Sequence, residues 1–299
     1  MSNLSGARRK HHHHFFPVFQ LDYFVDKAAG GVWAHDRRGR LDPNPKCLPP
    51  KAIAAEEDLY TGITSGGELS DKFETWLGQA VDGPAAAAFE PLLRGVSLTR
   101  AEMSAIARYV MARDLRTPKA QALALEHEKR AADAGLAALR RDLSGTRARI
   151  VTEGGPDFTE EELEYYLDTS EAEVTNNAFI AFIDRYLNTG AARLYAKSWL
   201  VLQAPIGARF LTSDLGIVKF RNGWHDPVPH TVAWIAKAEG WIMPLTPHFA
   251  LVMAPGGDVG RTTARPRFVE LVNRVLADQA EAFVFAADPL LWLKRSWGL

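Results

Sequence analysis

The sequence predicts a helix-rich α+β fold with a central, largely antiparallel sheet, built mainly from the C-terminal half plus one N-terminal strand. Between residues 69 and 195 the apolar residues recur at the i, i+3, i+4 spacing of buried helix faces. From Trp199 to Met253 the pattern changes to short apolar runs between turn residues, which read as strands joined by short and therefore antiparallel connections. The two patterns follow one another rather than alternating, which excludes a regular βαβ fold.

The elements follow in order. Gly31 to Asp36 predicts a short strand closed by the turn Arg37-Arg38-Gly39. Pro43, Pro45, Pro49 and Pro50 predict an extended loop ending near Lys51 to Asp58, because proline donates no ladder bond and restricts the residue before it. Leu69 to Ala80 predicts a helix that buries Phe73, Trp76 and Leu77, and Pro84 opens a second at a favourable first-turn position. Thr99-x-x-Glu102 has the spacing of a capping box, ahead of a helix that buries Met103, Ile106, Tyr109 and Val110.

After Arg116-Thr117-Pro118, residues 119–149 are rich in Ala, Leu, Glu, Lys and Arg, with few large apolar residues. This predicts a long, partly exposed helical arm within one domain spanning 1–299, with break points at Gly135 or Ser144-Gly145. Thr159-x-x-Glu162 caps the next helix, and Asn176 to Tyr195 forms another, with Phe179, Phe182, Ile183, Tyr186 and Leu187 as its stripe. Strands are then expected at Trp199 to Leu202, Arg209 to Leu211, Ile217 to Phe220, Val232 to Ile235, Trp241 to Met243 and Phe249 to Met253. A helix over Arg267 to Ala280, a strand over Phe283 to Ala286 and a helix from Asp288-Pro289 complete the chain.

Composition narrows the function classes. The 299 residues, 47% apolar and 24% charged, are enough for a substantial core. The formal net charge of -1 argues against a generally basic nucleic-acid binder. The single cysteine, Cys47, excludes an intrachain disulfide and a cysteine-rich zinc site. No apolar run is long enough for a bilayer, and a basic, histidine-rich start replaces the apolar stretch of a signal peptide, so a cytoplasmic location is expected. The histidines His11 to His14 run straight into Phe15-Phe16-Pro17 and read as native sequence. The eight tryptophans fall mostly in apolar runs, where core packing is the default role.

The block His13-His14-Phe15-Phe16-Pro17-Val18-Phe19-Gln20-Leu21-Asp22-Tyr23-Phe24 resembles the His-His-x-x-Pro-x-x-x-Leu-x-x-Phe opening of a bacterial family, the domain of unknown function 4238. Further likenesses follow in order: Trp33 to Gly39, Ala55 to Thr61, Arg116-Thr117-Pro118, Phe210 to Asp214, Pro244-Leu245-Thr246-Pro247 and Asn273. Together they span roughly residues 11 to 290. One departure stands out: the family pattern follows Ser-Asp with Asn-Pro, whereas Leu215-Gly216 follows Ser213-Asp214 here. The resemblance implies candidate residues and no reaction.

Two readings of these residues stand side by side. In the first, one or both of His13 and His14, Glu56 (or its neighbour Glu57) and Asp214 converge as catalytic groups around a divalent metal. Arg116, Ser213 and Asn273 then bind substrate. That set describes a metal-dependent hydrolase, nuclease-like, acting on a nucleic acid or a phosphorylated small molecule. In the second, the histidines hydrogen-bond backbone carbonyls, Ser213 and Asp214 form a local turn, and Glu56 to Asp58 stabilise a helix end or pair with Arg116. The protein is then a non-catalytic interaction or regulatory protein, with the 119–149 helix as partner surface. The basic residues Arg8, Arg9 and Lys10, with Arg37, Arg38 and Arg40, read either as a phosphate-attracting surface or as a solvated face.

Overall fold

The computed structural model describes residues 11–170, 174–221, 226–227, 238–256, 259–290 and 293. In chain order, β1 (His12–His14), α1 (Val18–Leu21), β2 (Val32–Asp36), β3 (Lys46–Leu48) and β4 (Ala55–Glu57) come first. A small hairpin follows, β5 (Gly62–Ile63) and β6 (Leu69–Ser70). The helices α2 (Lys72–Leu77), α3 (Gly83–Arg94), α4 (Arg100–Leu115), α5 (Pro118–Arg141), α6 (Leu143–Thr152), α7 (Glu160–Thr169) and α8 (Asn176–Tyr195) make up the middle of the chain. Then come β7 (Ser198–Gln203), β8 (Thr212–Ser213), β9 (Val218–Arg221), β10 (Asp226–Pro227), β11 (Gly240–Thr246), β12 (Phe249–Ala254) and β13 (Gly260–Thr263). The helix α9 (Pro266–Gln279) and the strand β14 (Phe283–Ala286) follow. The fold is α+β, as the sequence predicts.

Successive side chains of a strand face opposite sides of its sheet, and this alternation organises the molecule. The six-stranded sheet has the order β10-β9-β11-β12-β7-β13, antiparallel except where β13 runs parallel to β7. Trp199, Val201, Trp241, Met243, Leu251 and Met253 belong to one buried cluster, with α3, α4, α8 and the N-terminal segment. Leu202, Val218, Phe220, Ile242, Ala250 and Val252 belong to a second, with Val269, Val272 and Leu276 of α9. The four-stranded antiparallel sheet β3-β2-β14-β8 adds Val284 and Ala286 to that second cluster.

The capping boxes at Thr99 and Thr159 both form, with each threonine accepting from the N3 backbone N–H and each glutamate accepting from the N-cap N–H. The helix expected over 69–80 begins later, because Leu69 and Ser70 pair with Ile63 and Gly62, and it continues into a π-helical turn at Gly78–Asp82. The long polar helix breaks at Asp142, whose carboxylate caps α6 by accepting from the Gly145 N–H; Gly135 lies within α5. Only Ala120 and Ala124 of α5 are buried.

Arg209 to Leu211, expected as a strand, is not one. Asn273 on α9 holds this stretch instead, donating to the Arg209 carbonyl at 2.8 Å and accepting from the Leu211 N–H at 3.0 Å. Strand β13 carries the polar, exposed sequence Gly-Arg-Thr-Thr, which has no apolar alternation to announce it. The strand expected at Val232 to Ile235, the helix expected beyond Pro289 and the basic residues Arg8 to Lys10 lie outside the described residues, apart from Leu293. Among the described residues, no helix is long and apolar enough to cross a membrane.

Candidate functional site

The histidine segment forms β1, which pairs antiparallel with β4 so that His13 lies opposite Glu56. Alternation puts His13 inward and fully buried, while His14 is half-buried and His12 exposed. The Tyr60 N–H donates to His13 Nδ1 at 2.8 Å, and the two rings stack at 5.6 Å with 6° between their planes. An Nδ1 that accepts carries no proton, so the His13 proton sits on Nε2. His14 Nε2 lies 3.3 Å from the Lys51 carbonyl oxygen, and burial lowers its pKa. Both histidines therefore bond backbone of neighbouring segments.

Ser213 and Asp214 end β8. The Ser213 hydroxyl accepts from the Gly216 N–H at 3.2 Å, a local turn. One Asp214 oxygen accepts from Leu215 and Glu281 N–H groups at 3.0 and 3.1 Å, and the other from Ala282 and Phe283 at 2.5 and 3.1 Å. Burial pushes the Asp214 pKa up, and the four N–H bonds act in the opposite sense. This carboxylate ties β8 to the start of β14.

Arg116 is buried and pairs with Asp82, with contacts of 2.9 and 3.0 Å, rather than with the acidic cluster at Glu56 to Asp58. Its own carbonyl accepts from the Tyr60 hydroxyl at 2.6 Å. Asp58 instead lies 3.6 Å from His11 Nδ1. Among the described residues, no three His, Cys, Asp or Glu side chains are grouped to hold a metal.

What Glu56 and Asp214 do share is a cavity of about 650 Å³. Its walls come from Phe15 just after β1, the end of β2 and the turn after it, the stretch from β3 to β4, the N-terminus of α5, the turn after β8 and the α9–β14 connection. Phe15, Leu41, Leu48, Ile53 and Phe283 provide apolar surface. Arg38, Arg40 and Lys119 provide positive charge, and Asp36 and Glu281 line it as well. Arg40 pairs with Asp36 at 3.3 Å and lies over the Phe283 ring at 5.1 Å, while Lys119 pairs with Glu281. Thr117 caps α5 by accepting from Ala120 at 3.1 Å, so this 24-residue helix directs its positive end at the cavity.

Behind the cavity lies a buried charged layer of which the sequence analysis singled out only Arg116. Residues Tyr109 to Leu115 of α4 are all buried, so the helix is enclosed on every side at its end, and it carries Arg113 and Asp114 there. Asp114 pairs with Lys219 of β9 at 2.8 Å, both side chains 1% exposed. The available signal was three charged residues, Arg113, Asp114 and Arg116, close to the apolar stripe of one helix.

Burial lowers the Lys219 pKa from 10.5 to about 8, only partly offset by Asp114. Between about pH 8 and 10.5 the folded chain has lost a proton that the unfolded chain keeps, so stability should rise with pH in that window. Denaturation midpoints measured from pH 7.5 to 9, below the range where the buried Tyr60 and Tyr109 act in the opposite sense, should climb in the wild type, and the climb should flatten in Lys219→Met. A midpoint that falls over this range in the wild type would contradict a depressed lysine.

The chain matches no curated protein and no solved structure. Residues 12–289 match one family model, described as a protein of unknown function. With nearly the whole chain covered, and with the opening histidine block and the Ser213-Asp214 turn both inside the match, the protein belongs to the DUF4238 family.

Proposed function

We propose that the protein binds a small anionic molecule, phosphorylated or carboxylated, in the cavity at the N-terminus of α5. The observation that carries this reading is the meeting of Arg38, the Arg40–Asp36 and Lys119–Glu281 pairs and the positive end of α5 on one cavity with an apolar wall. A volume of about 650 Å³ lies within the range of small-molecule sites, and apolar walls with a few convergent polar groups are their usual lining. A helix N-terminus with adjacent cations favours an oxyanion.

Metal-dependent hydrolysis, the finer reading of the sequence, draws support from Glu56 and Asp214 bordering this same cavity. Weighing against it, Asp214 already accepts two N–H bonds on each oxygen, and His13 Nδ1 is engaged by Tyr60. Binding without these groups as metal ligands is the reading we favour.

The test is thermal unfolding with phosphate monoesters and small carboxylates, at constant ionic strength. A ligand at about ten times its Kd stabilises by about 1.4 kcal/mol, a midpoint rise of roughly 3 °C for a chain of this size. Arg38→Ala combined with Lys119→Ala should abolish the rise. The reading fails if no anion shifts the wild-type midpoint beyond the shift seen with chloride.

A further inference from the structure

Three buried cations lie in the layer behind the cavity, and two have carboxylate partners: Arg116 with Asp82 at 2.9 Å and Lys219 with Asp114 at 2.8 Å. The third is Arg113, 1% exposed, with no carboxylate at ion-pairing distance among the described residues. Its Nη1 donates to the Phe15 carbonyl at 2.7 Å and its guanidinium lies over the Phe16 ring at 3.8 Å. Its Nε and Nη2 meet no hydrogen-bond partner. Natural proteins keep such uncompensated groups mainly where function requires them, since each is unfavourable to folding.

The guanidinium sits against the inner side of segments that wall the cavity. Phe15, its hydrogen-bond partner, lines the cavity, as do Asp214 and Leu215. The next residue, Gly216, packs directly on Nη2: a methyl group there would overlap the guanidinium, and its φ of +65° is one that proline cannot adopt. This turn is thus where Arg113 needs room. The carboxylates that act on Arg113 from beyond ion-pairing distance, Asp82 and Asp114, are already paired with Arg116 and Lys219, and Asp214 is bonded to four backbone N–H groups.

We infer that Arg113 is the buried counter-charge of the cavity's ligand, attracting its oxyanion through the floor made by Phe15 and Leu215. The inference rests on the anion-binding reading above. In a dry interior a charge acts across such a floor with little screening, whereas the exposed Arg38 is screened by solvent.

The experiment compares wild type, Arg113→Met, Arg113→Gln and the Arg38→Ala/Lys119→Ala variant, using inorganic phosphate and malonate as probes; the two probes also tell which oxyanion is preferred. Calorimetric titration of the folded proteins should show affinity for the better probe falling by about tenfold or more in Arg113→Met. The same variant, freed of an uncompensated buried charge, should unfold at a midpoint no lower than the wild type's without ligand. If Arg113→Met does not fold, Arg113→Gln, which can still donate to the Phe15 carbonyl, carries the affinity measurement. Unchanged affinity in the neutral variant, with loss in the Arg38/Lys119 variant, overturns the role of Arg113 and leaves the cavity reading standing. No probe bound by the wild type overturns both.

Discussion

Asp82→Ala is expected to lower the unfolding free energy by about 3 kcal/mol, because it leaves the Arg116 guanidinium charged and buried with its counter-ion gone. Arg116 is 1% exposed, whereas the Asp82 side chain is 21% exposed. Water entering from the Asp82 side would recover part of the loss, which is why the lower end of the range for broken buried pairs applies. An arginine guanidinium keeps its proton far above neutral pH even without a partner, so shedding the proton offers no escape once the carboxylate is gone. Replacing both partners, Asp82→Leu with Arg116→Met, should restore most of the stability, since an apolar pair of similar volume leaves no stranded charge. Chemical denaturation of the two singles and the double forms the cycle. A loss below about 1 kcal/mol for Asp82→Ala, typical of an exposed ion pair, would mean that solvent reaches Arg116.

The same pair shows why the fold was more legible than the site. Strands β7, β11 and β12 carry apolar residues for both faces of a sheet, and helices α4 and α7 announce their starts through Thr99 and Thr159. These are local signals, contained within a few residues. The cavity is assembled from six segments of the chain, and nothing local in any of them says that Arg38, Glu56, Lys119 and Glu281 meet. Polar residue types alone could not separate a staple from a ligand-binding group. Asn273 reads like a binding residue, yet its amide bonds both the Arg209 carbonyl and the Leu211 N–H. Arg116 reads like an anion receptor, yet its anion is Asp82, at the end of a π-helical turn between the two helices that the sequence pattern predicts. Strand β13 was hidden for the converse reason: an exposed edge strand has no buried face, so no periodicity is imposed on it.

Asp214 gives the sharpest separation between the two sequence readings, because they predict opposite behaviour for one conservative change. A catalytic carboxylate replaced by asparagine keeps its shape, so Asp214→Asn would fold like the wild type and fail in function. A carboxylate that accepts four backbone N–H bonds is different. The asparagine amide turns two donors toward N–H groups that are themselves donors, so at least one pair is left buried and unsatisfied. Each stranded donor costs about 1–3 kcal/mol, and the pair cannot relax separately because Glu281, Ala282 and Phe283 are consecutive residues leading into β14. Asp214→Asn should therefore lose about 3 kcal/mol or more, nearly as much as Asp214→Ala. Ser213→Ala, which removes a single bond to the Gly216 N–H, should lose only about 1 kcal/mol. Urea denaturation of the three variants decides the matter. An Asp214→Asn protein that unfolds at the wild-type midpoint would restore this residue to the list of catalytic candidates, and with it the hydrolase reading. A large, shared loss in both Asp214 variants would fix it as the staple between β8 and β14, and leave the recognition of the ligand to the cations around the cavity.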